Sequence, residues 1–270
     1  MRRERKVKPS GIVTLITDFG YGGEYSGAMK GAVLSINPLC QVIDITHQIN
    51  PQHILQAAFV LKNTYPYYPA GTVHVVVVDP GVGTSRRPVV LEKGGHLFVG
   101  PDNGVFTLVL TQKGKTVGYE ISRGRYFHDS PSDTFHGRDI FAPVAGHLSA
   151  GLPAAALGPQ VERWAKVSWP QPRMAGRRIR GQVLWADSFG NLITNISQAR
   201  FGRLFKGNPF RIKGPGWRID CIHRTYGEGN PGQPMALFGS TGFLEIALNR
   251  GNALDSLGLA PGDSVTFFLL

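Results

Sequence analysis

Cysteine is nearly missing from this sequence, with two in 270 residues. Cys40 and Cys221 stand far apart and outside any CxxC or Cys/His ligand spacing, which excludes a disulfide framework and a zinc cluster; both are expected to be buried thiols. Long apolar runs are lacking as well. Those present, such as Val75 to Val78 behind Thr72 and Val73, have strand length, far below the roughly 20 residues of a membrane span. Charged residues make up only 17% of the chain against 42% hydrophobic, so there is material for a core and no signature of disorder. There is no internal repeat and no low-complexity tract. The basic start MRRERKVKPSG leads into a strand-like stretch, not into the apolar core and small-residue cleavage site of a signal peptide, so a cytoplasmic protein with a frayed tail is expected.

What charge there is leans basic, with a formal net charge of +11. Lysine and arginine that neutralise phosphates supply most non-specific nucleic-acid affinity, so a basic nucleic-acid-binding module has to be considered. Much of the excess lies in the tail, in Arg2, Arg3, Arg5, Lys6 and Lys8, and much of the rest is scattered from Arg173 to Lys213 with no aromatic-interleaved stripe. A solvated basic face is the expectation.

The first half alternates strand and helix signals. Gly11 to Thr17 is a β-branched run; a glycine turn follows, then a helical stretch with Met29, Val33 and Ile36 on one face. Gln41 to Thr46 reads as a strand, residues 51 to 62 as a helix, and Thr72 to Val78 as a strand apolar on both faces. That order predicts a mostly parallel sheet between helices. Further strands are expected at Pro88 to Glu92 and His96 to Val99, and helices near Val105 to Thr111 and Arg138 to Ser149. A stretch rich in Gly, Pro and Ala then reads as a linker over the surface. Beyond it short alternating segments and glycine turns predict a small β-barrel or sandwich, in which only Arg250 to Leu257 looks helical. The expected division is an α/β domain over 11–160, a linker over 161–176 and a β domain over 177–270.

Four polar clusters fall at strand ends or turns, where a parallel sheet presents ligands beyond its carboxyl edge. Asp18, in Thr17-Asp18-Phe19-Gly20, offers a two-pronged acceptor for a ribose diol or a cap for the next helix. Asp79 is followed seven positions later by Arg86 through a glycine turn. That spacing suits a salt bridge that fixes a loop, or a charged pair at work in a site. Gly100-Pro101-Asp102-Asn103-Gly104 reads as a turn. His136, just ahead of a helix, is a general base, a metal ligand or an ordinary first-turn residue. Taken together, Asp79, Arg86 and His136 make an Asp-Arg-His set acting on a bound water credible. The rival is a two-metal phosphohydrolase using Asp18, Asp79, Asp102 and His136, which no HxxxH, HExxH or DxD pair supports. In the second half, Asp187 to Asn191, Tyr226 and Gly239 to Gly242 offer a carboxylate, an amide and a stacking ring, a set suited to a purine and an amino-acid ammonium.

The assembled strings resemble one family. ITDFG at 16–20, VVDPGVGTSRR at 77–87, GPDNGV at 100–105, TFHGRDIFAP at 134–143, DSFGNLITNI at 187–196 and STGFLEIALNRGNA at 240–253 are similar to the S-adenosyl-L-methionine hydrolases (adenosine-forming), also called hydroxide adenosyltransferases, relatives of the fluorinating and chlorinating enzymes. The likeness runs from about residue 11 to the C-terminus. It implies an α/β domain with a C-terminal β-barrel, and a homotrimer whose sites lie between the N-domain of one subunit and the C-domain of the next. The implied reaction is S-adenosyl-L-methionine plus water to adenosine plus L-methionine, with no cofactor and no metal. By position, Asp79, Arg86 and His136 match the family's water-activating set and Asp18 its ribose carboxylate. Asp187 and Ser240 match contacts to the methionine end, Asn191 an adenine contact and Tyr226 an aromatic stacked on adenine, while the backbones of Leu248 and Arg250 flank the base. Departures from the halogenating relatives point to water rather than halide. His136-Gly137 replaces a Tyr-Ser pair, Asp79 replaces a Tyr, and a long insertion before residue 100 is absent. Thr241 stands where those relatives carry an arginine for the methionine carboxylate.

Overall fold

The computed structural model describes residues 7–270, so the tail residues Arg2, Arg3, Arg5 and Lys6 lie outside the described residues. The chain divides into two compact units that meet at Val167 and Ser168, inside the stretch 161–176.

In the first unit, β-branched runs form β1 (Ile12–Thr17), β2 (Gln41–Thr46) and β3 (Val73–Val77), separated by α1 (Tyr25–Ile36) and α2 (Ile54–Thr64). β4 (Pro88–Lys93) and β5 (His96–Pro101) follow, then α3 (Thr107–Leu110), β6 (Thr116–Glu120) and α4 (Ala142–Ser149). The sheet order is β2-β1-β3-β5-β4-β6. The first three pairings are parallel and the last two antiparallel, so the sheet is mixed and mostly parallel. Alternate residues of β1 and β3 serve opposite faces, as a period of two requires. Val13, Leu15, Val75 and Val77 pack with Met29, Val33 and Leu148 of α1 and α4. Ile16, Val76 and Val78 pack with Ala57, Leu61 and Val109 of α2 and α3. Burial on both faces is why β3 reads as a continuous apolar run.

The structure differs from the sequence expectation in places. β6 was not expected, because Gly118 interrupts its pattern. That glycine is required by packing, since a Cβ there would lie 2.3 Å from the Trp164 ring. The region expected as one helix from Arg138 begins instead as a π-helical turn, Gly137–Phe141, and becomes α4 only at Ala142. Pro143 in the first turn has no N–H for the α-helical ladder, which fits that break.

The second unit contains β7 (Arg173–Ala175), β8 (Arg178–Ala186), β9 (Leu192–Ser197), α5 (Gln198–Phe205), β10 (Phe210–Gly214) and β11 (Trp217–Ile219). β12 (Pro234–Phe238), β13 (Phe243–Leu248), α6 (Ala253–Ser256) and β14 (Ser264–Leu269) complete it. The strands form one antiparallel sheet, β11-β10-β14-β8-β9-β13-β12, with β7 on β8. His223 just past β11 pairs with Leu237 of β12, which nearly closes the barrel. The expectation of a single helix at Arg250 to Leu257 is corrected. α5 is the longer helix and α6 covers four residues. Ser197 caps α5 through the Arg200 amide, and Phe201 and Phe205 stack at 4.2 Å on its inner side. Gly202 and two arginines diluted that signal in the sequence. The expectation of two buried thiols is also corrected: Cys40 is buried, but Cys221 is exposed, because it lies in the connection after β11 and not in a strand. Among the described residues no helix is long and apolar enough to cross a membrane.

Candidate active site

Register places the first group of candidates. Thr17 of β1 lies beside Val77 of β3, so Asp18 and Asp79 emerge from neighbouring strands at the carboxyl edge of the sheet. Asp79 begins a tight turn in which Val82 N–H donates to the Asp79 carbonyl and Thr84 N–H to that of Gly81. Gly83 has φ +74°, and a Cβ there would lie 2.4 Å from the Asp133 carbonyl oxygen, so glycine lets this turn press against the chain leading to His136.

The turn brings Arg86 back onto Asp79. Arg86 Nε donates to both carboxylate oxygens at 3.1 and 2.9 Å, and Nη2 donates to Oδ2. The same Nη2 lies 2.6 Å from His136 Nδ1. The pair is deeply placed, with side-chain exposures of 9% for Arg86 and 4% for Asp79, and Phe141 lies against the guanidinium. Arg86 Nη1 is buried and has no partner. A buried N–H without an acceptor is costly, so this atom marks where a ligand oxygen belongs.

A guanidinium only donates, so the His136 Nδ1 lone pair must accept, and the proton of the neutral imidazole sits on Nε2. Burial, and after it the Arg86 charge, hold the His136 pKa below its ordinary value against the opposing pull of Asp79. His136 is therefore a neutral imidazole at pH 7 whose free nitrogen is a donor.

Asp18, Asp79 and His136 line one cavity of about 290 Å³, together with Phe135 and Gln52. The Gln52 amide donates to Asp18 Oδ2 at 2.8 Å. Gln52 carries no signal of a site in the sequence; the Asn50-Pro51 ahead of it marks only a turn. Asp102 goes elsewhere: its carboxylate pairs with Arg87 and accepts from Ala165 N–H, and Asn103 donates to the Val78 carbonyl. Among the described residues no three His, Cys, Asp or Glu side chains gather as a metal-binding group.

The second unit collects the remaining candidates. Asp187 Oδ1 accepts from the Phe189 and Asn191 amides, and Oδ2 from Asn191 Nδ2, all at 2.9 Å. Tyr226 O–H donates to Glu245 Oε2 at 2.6 Å. Burial, then Glu245 and then Asp187 push the phenol well above its ordinary value. Burial and then Asp187 also raise Glu245, against the Tyr226 hydrogen bond. The loop 187–191, Tyr226 and β13 are thus close enough to share an electrostatic field. Glu245 is buried at 6% exposure; its signal in the sequence was a lone acid inside the apolar strand FLEIAL. Ser240 lies in the turn between β12 and β13, where the Thr241 hydroxyl is buried without a partner. Leu248 ends β13, and Arg250 follows at φ +58°.

Two family models match the chain, the SAM hydroxide adenosyltransferase N-terminal domain over residues 13–158 and the corresponding C-terminal domain over 181–266. The chain belongs to the SAM hydroxide adenosyltransferase family. Curated relatives of that family span nearly the whole chain. An (R)-S-adenosyl-L-methionine hydrolase of Thermus thermophilus is 39% identical over 257 residues, covering 93% of this chain and 96% of its own. One of Methanocaldococcus jannaschii is 40% identical over 264 residues, covering 94% of each. A fluorinase of Actinoplanes is more distant, at 26% identity over 290 residues, covering 94% and 96%. A solved structure of a conserved Thermotoga maritima protein is similar with a TM-score of 0.85 and 36% identity, covering 95% of this chain and 99% of that one. The two adenosyltransferase domains fall one on each compact unit.

Proposed function

We propose that this enzyme hydrolyses S-adenosyl-L-methionine to adenosine and L-methionine. The observation that carries the chemistry is the Arg86 guanidinium, which faces Asp79 with one edge, touches His136 with Nη2 and leaves Nη1 buried and unpaired. The sulfonium leaves as a neutral thioether, so no acid is needed on that side. The difficulty is to deliver a desolvated oxygen in line with ribose C5′.

Arg86 Nη1 and His136 Nε2–H are both donors, and both suit an oxygen that carries negative charge. In this arrangement His136 orients and stabilises the nucleophile and does not take its proton, because its Nδ1 lone pair is engaged by Arg86. Asp79 Oδ1 retains acceptor capacity and receives the proton. The new C5′–O bond forms as the C5′–S bond breaks, and the bonding pair stays on sulfur. The proton passes to Asp79 as the C5′–O bond forms, so the attacking oxygen is hydroxide-like and the two donors meet negative charge on it. Asp18 holds the ribose diol. Asp187, Ser240, Asn191, Tyr226 and the backbones of Leu248 and Arg250 hold the methionine and adenine ends.

The test is incubation with the two sulfonium epimers of S-adenosyl-L-methionine in ¹⁸O-water with chelator present. Adenosine labelled at its 5′ oxygen, with free methionine, is expected from the (R) epimer for which the relatives are named. Loss of turnover with chelator would favour metal-assisted hydrolysis, and absence of labelled adenosine from either epimer would overturn the assignment. The proposal includes a homotrimer in the cytoplasm. Light scattering should then give a particle of about three times the 29.4 kDa chain mass, and a monomer at working concentration would exclude it.

A further inference from the structure

Gln52 occupies a backbone position that asks for glycine. His53 N–H donates to the Asn50 carbonyl at 2.9 Å across Pro51, and Gln52 has φ +64°. Proline second and a positive φ third define a type II turn, whose third position glycine fills without steric cost. Glycine would also keep the bond from residue 52 to Asp18, because that bond uses only the backbone N–H. The side chain is therefore retained against a local preference, the pattern from which a function is argued. Gln52 is exposed and lines the cavity of Asp18, Asp79 and His136. Its backbone amide is bonded to Asp18, and its carboxamide makes no hydrogen bond with the described residues.

We propose that Gln52 binds substrate, its carboxamide hydrogen-bonding a ribose hydroxyl beside Asp18. This rests on the proposed hydrolysis. The donor and acceptor counts are complementary. A carboxylate accepts from both hydroxyls of a diol and leaves their oxygens with lone pairs, and a carboxamide N–H donates to one of them. A site built in this way penalises an analogue that lacks the hydroxyl, because polar groups are left unpaired.

Gln52→Gly removes the side chain while easing the backbone, so loss of folding does not mask the result. Calorimetric binding of adenosine, 2′-deoxyadenosine and 3′-deoxyadenosine is read beside KM and kcat. Gln52→Gly should weaken adenosine binding and raise KM by about tenfold with kcat little changed. The preference for adenosine over one of the two deoxynucleosides should shrink by the same factor. Unchanged adenosine affinity would overturn the inference, as would an equal loss for all three nucleosides. Gln52→Ala, with the same truncation in the strained backbone, should share the binding loss; if it alone shows the loss, the turn and not the amide is responsible. Wild-type enzyme that neither binds adenosine nor consumes S-adenosyl-L-methionine would instead overturn the hydrolase reading, which separates the two failures.

Discussion

Arg86→Ala is expected to lower kcat by roughly 100- to 1000-fold, the cost of removing one donor aimed at developing negative charge, while KM rises only a few-fold. The split follows from geometry. Arg86 spends Nε and Nη2 on Asp79 and His136 and leaves Nη1 for the reacting oxygen, so none of its bonds serves the adenosine or the methionine. Arg86→Lys should recover little, because an ammonium keeps the charge but cannot fork across a carboxylate and reach an imidazole as well. The pH profile supplies a second readout. Burial and the Arg86 charge both hold His136 below its ordinary pKa, so the acid limb of kcat/KM in the wild type should lie below pH 6.5. Without Arg86 one of those causes is gone, and the limb should move up. The substitution also leaves Asp79 buried without its partner, so thermal stability has to be followed alongside; loss of a buried partner costs about 3–5 kcal/mol. Steady-state kinetics on folded Arg86→Ala with unchanged turnover would remove Arg86 from the mechanism.

The halves of the site differ in how far they can be read from residues alone. Asp18 and Asp79 were legible because each ends a β-branched run, and in a parallel sheet the carboxyl ends of adjacent strands converge whatever the side chains beyond them. The seven-residue return from Asp79 to Arg86 was legible from its glycines. The direction of the hydrogen bond between Arg86 and His136 was not. It depends on where the π-helical turn sets the imidazole, and it leaves His136, for which a general base was one reading, with its Nδ1 lone pair engaged and Nε2–H free to donate. Gln52 and Glu245 escaped for a shared reason. Each belongs to an element whose local pattern it contradicts, a turn position that prefers glycine and a strand otherwise apolar, and only the fold shows what each faces. In the second unit the turns announced a β fold, but α5 stayed hidden because its apolar face spans only two turns and the exposed Gly202 weakens the helical pattern.

A second large effect, this one on stability alone, is expected at the far end of the same sheet on lowering pH. His74 is fully buried in β3, with Nδ1 2.8 Å from Thr14 Oγ1 and Nε2 3.2 Å from His96 Nδ1. Its ring stacks on Phe98. Burial, and after it the His96 charge, lower its pKa to about 3, whereas an unfolded histidine titrates near 6.5. The native state thus refuses a proton that the unfolded chain accepts. Stability from this group is fully present above pH 6.5 and falls as pH drops through 6.5 towards about 3. The slope is about 1.4 kcal/mol per pH unit, so unfolding by urea should show a loss of about 2 kcal/mol from His74 alone between pH 6.5 and pH 5. His74→Gln should be less stable at pH 8 but flatter with pH, because groups common to both proteins cancel in the difference of slopes. Equal slopes would mean that the native state admits the proton. The contrast with His136 is one of surroundings. At the amino end of the strands an imidazole is walled in by rings and bonded only to a hydroxyl and a second imidazole, so its titration is felt in stability alone. At the carboxyl end a half-open imidazole held by a guanidinium keeps one N–H free for a reacting oxygen.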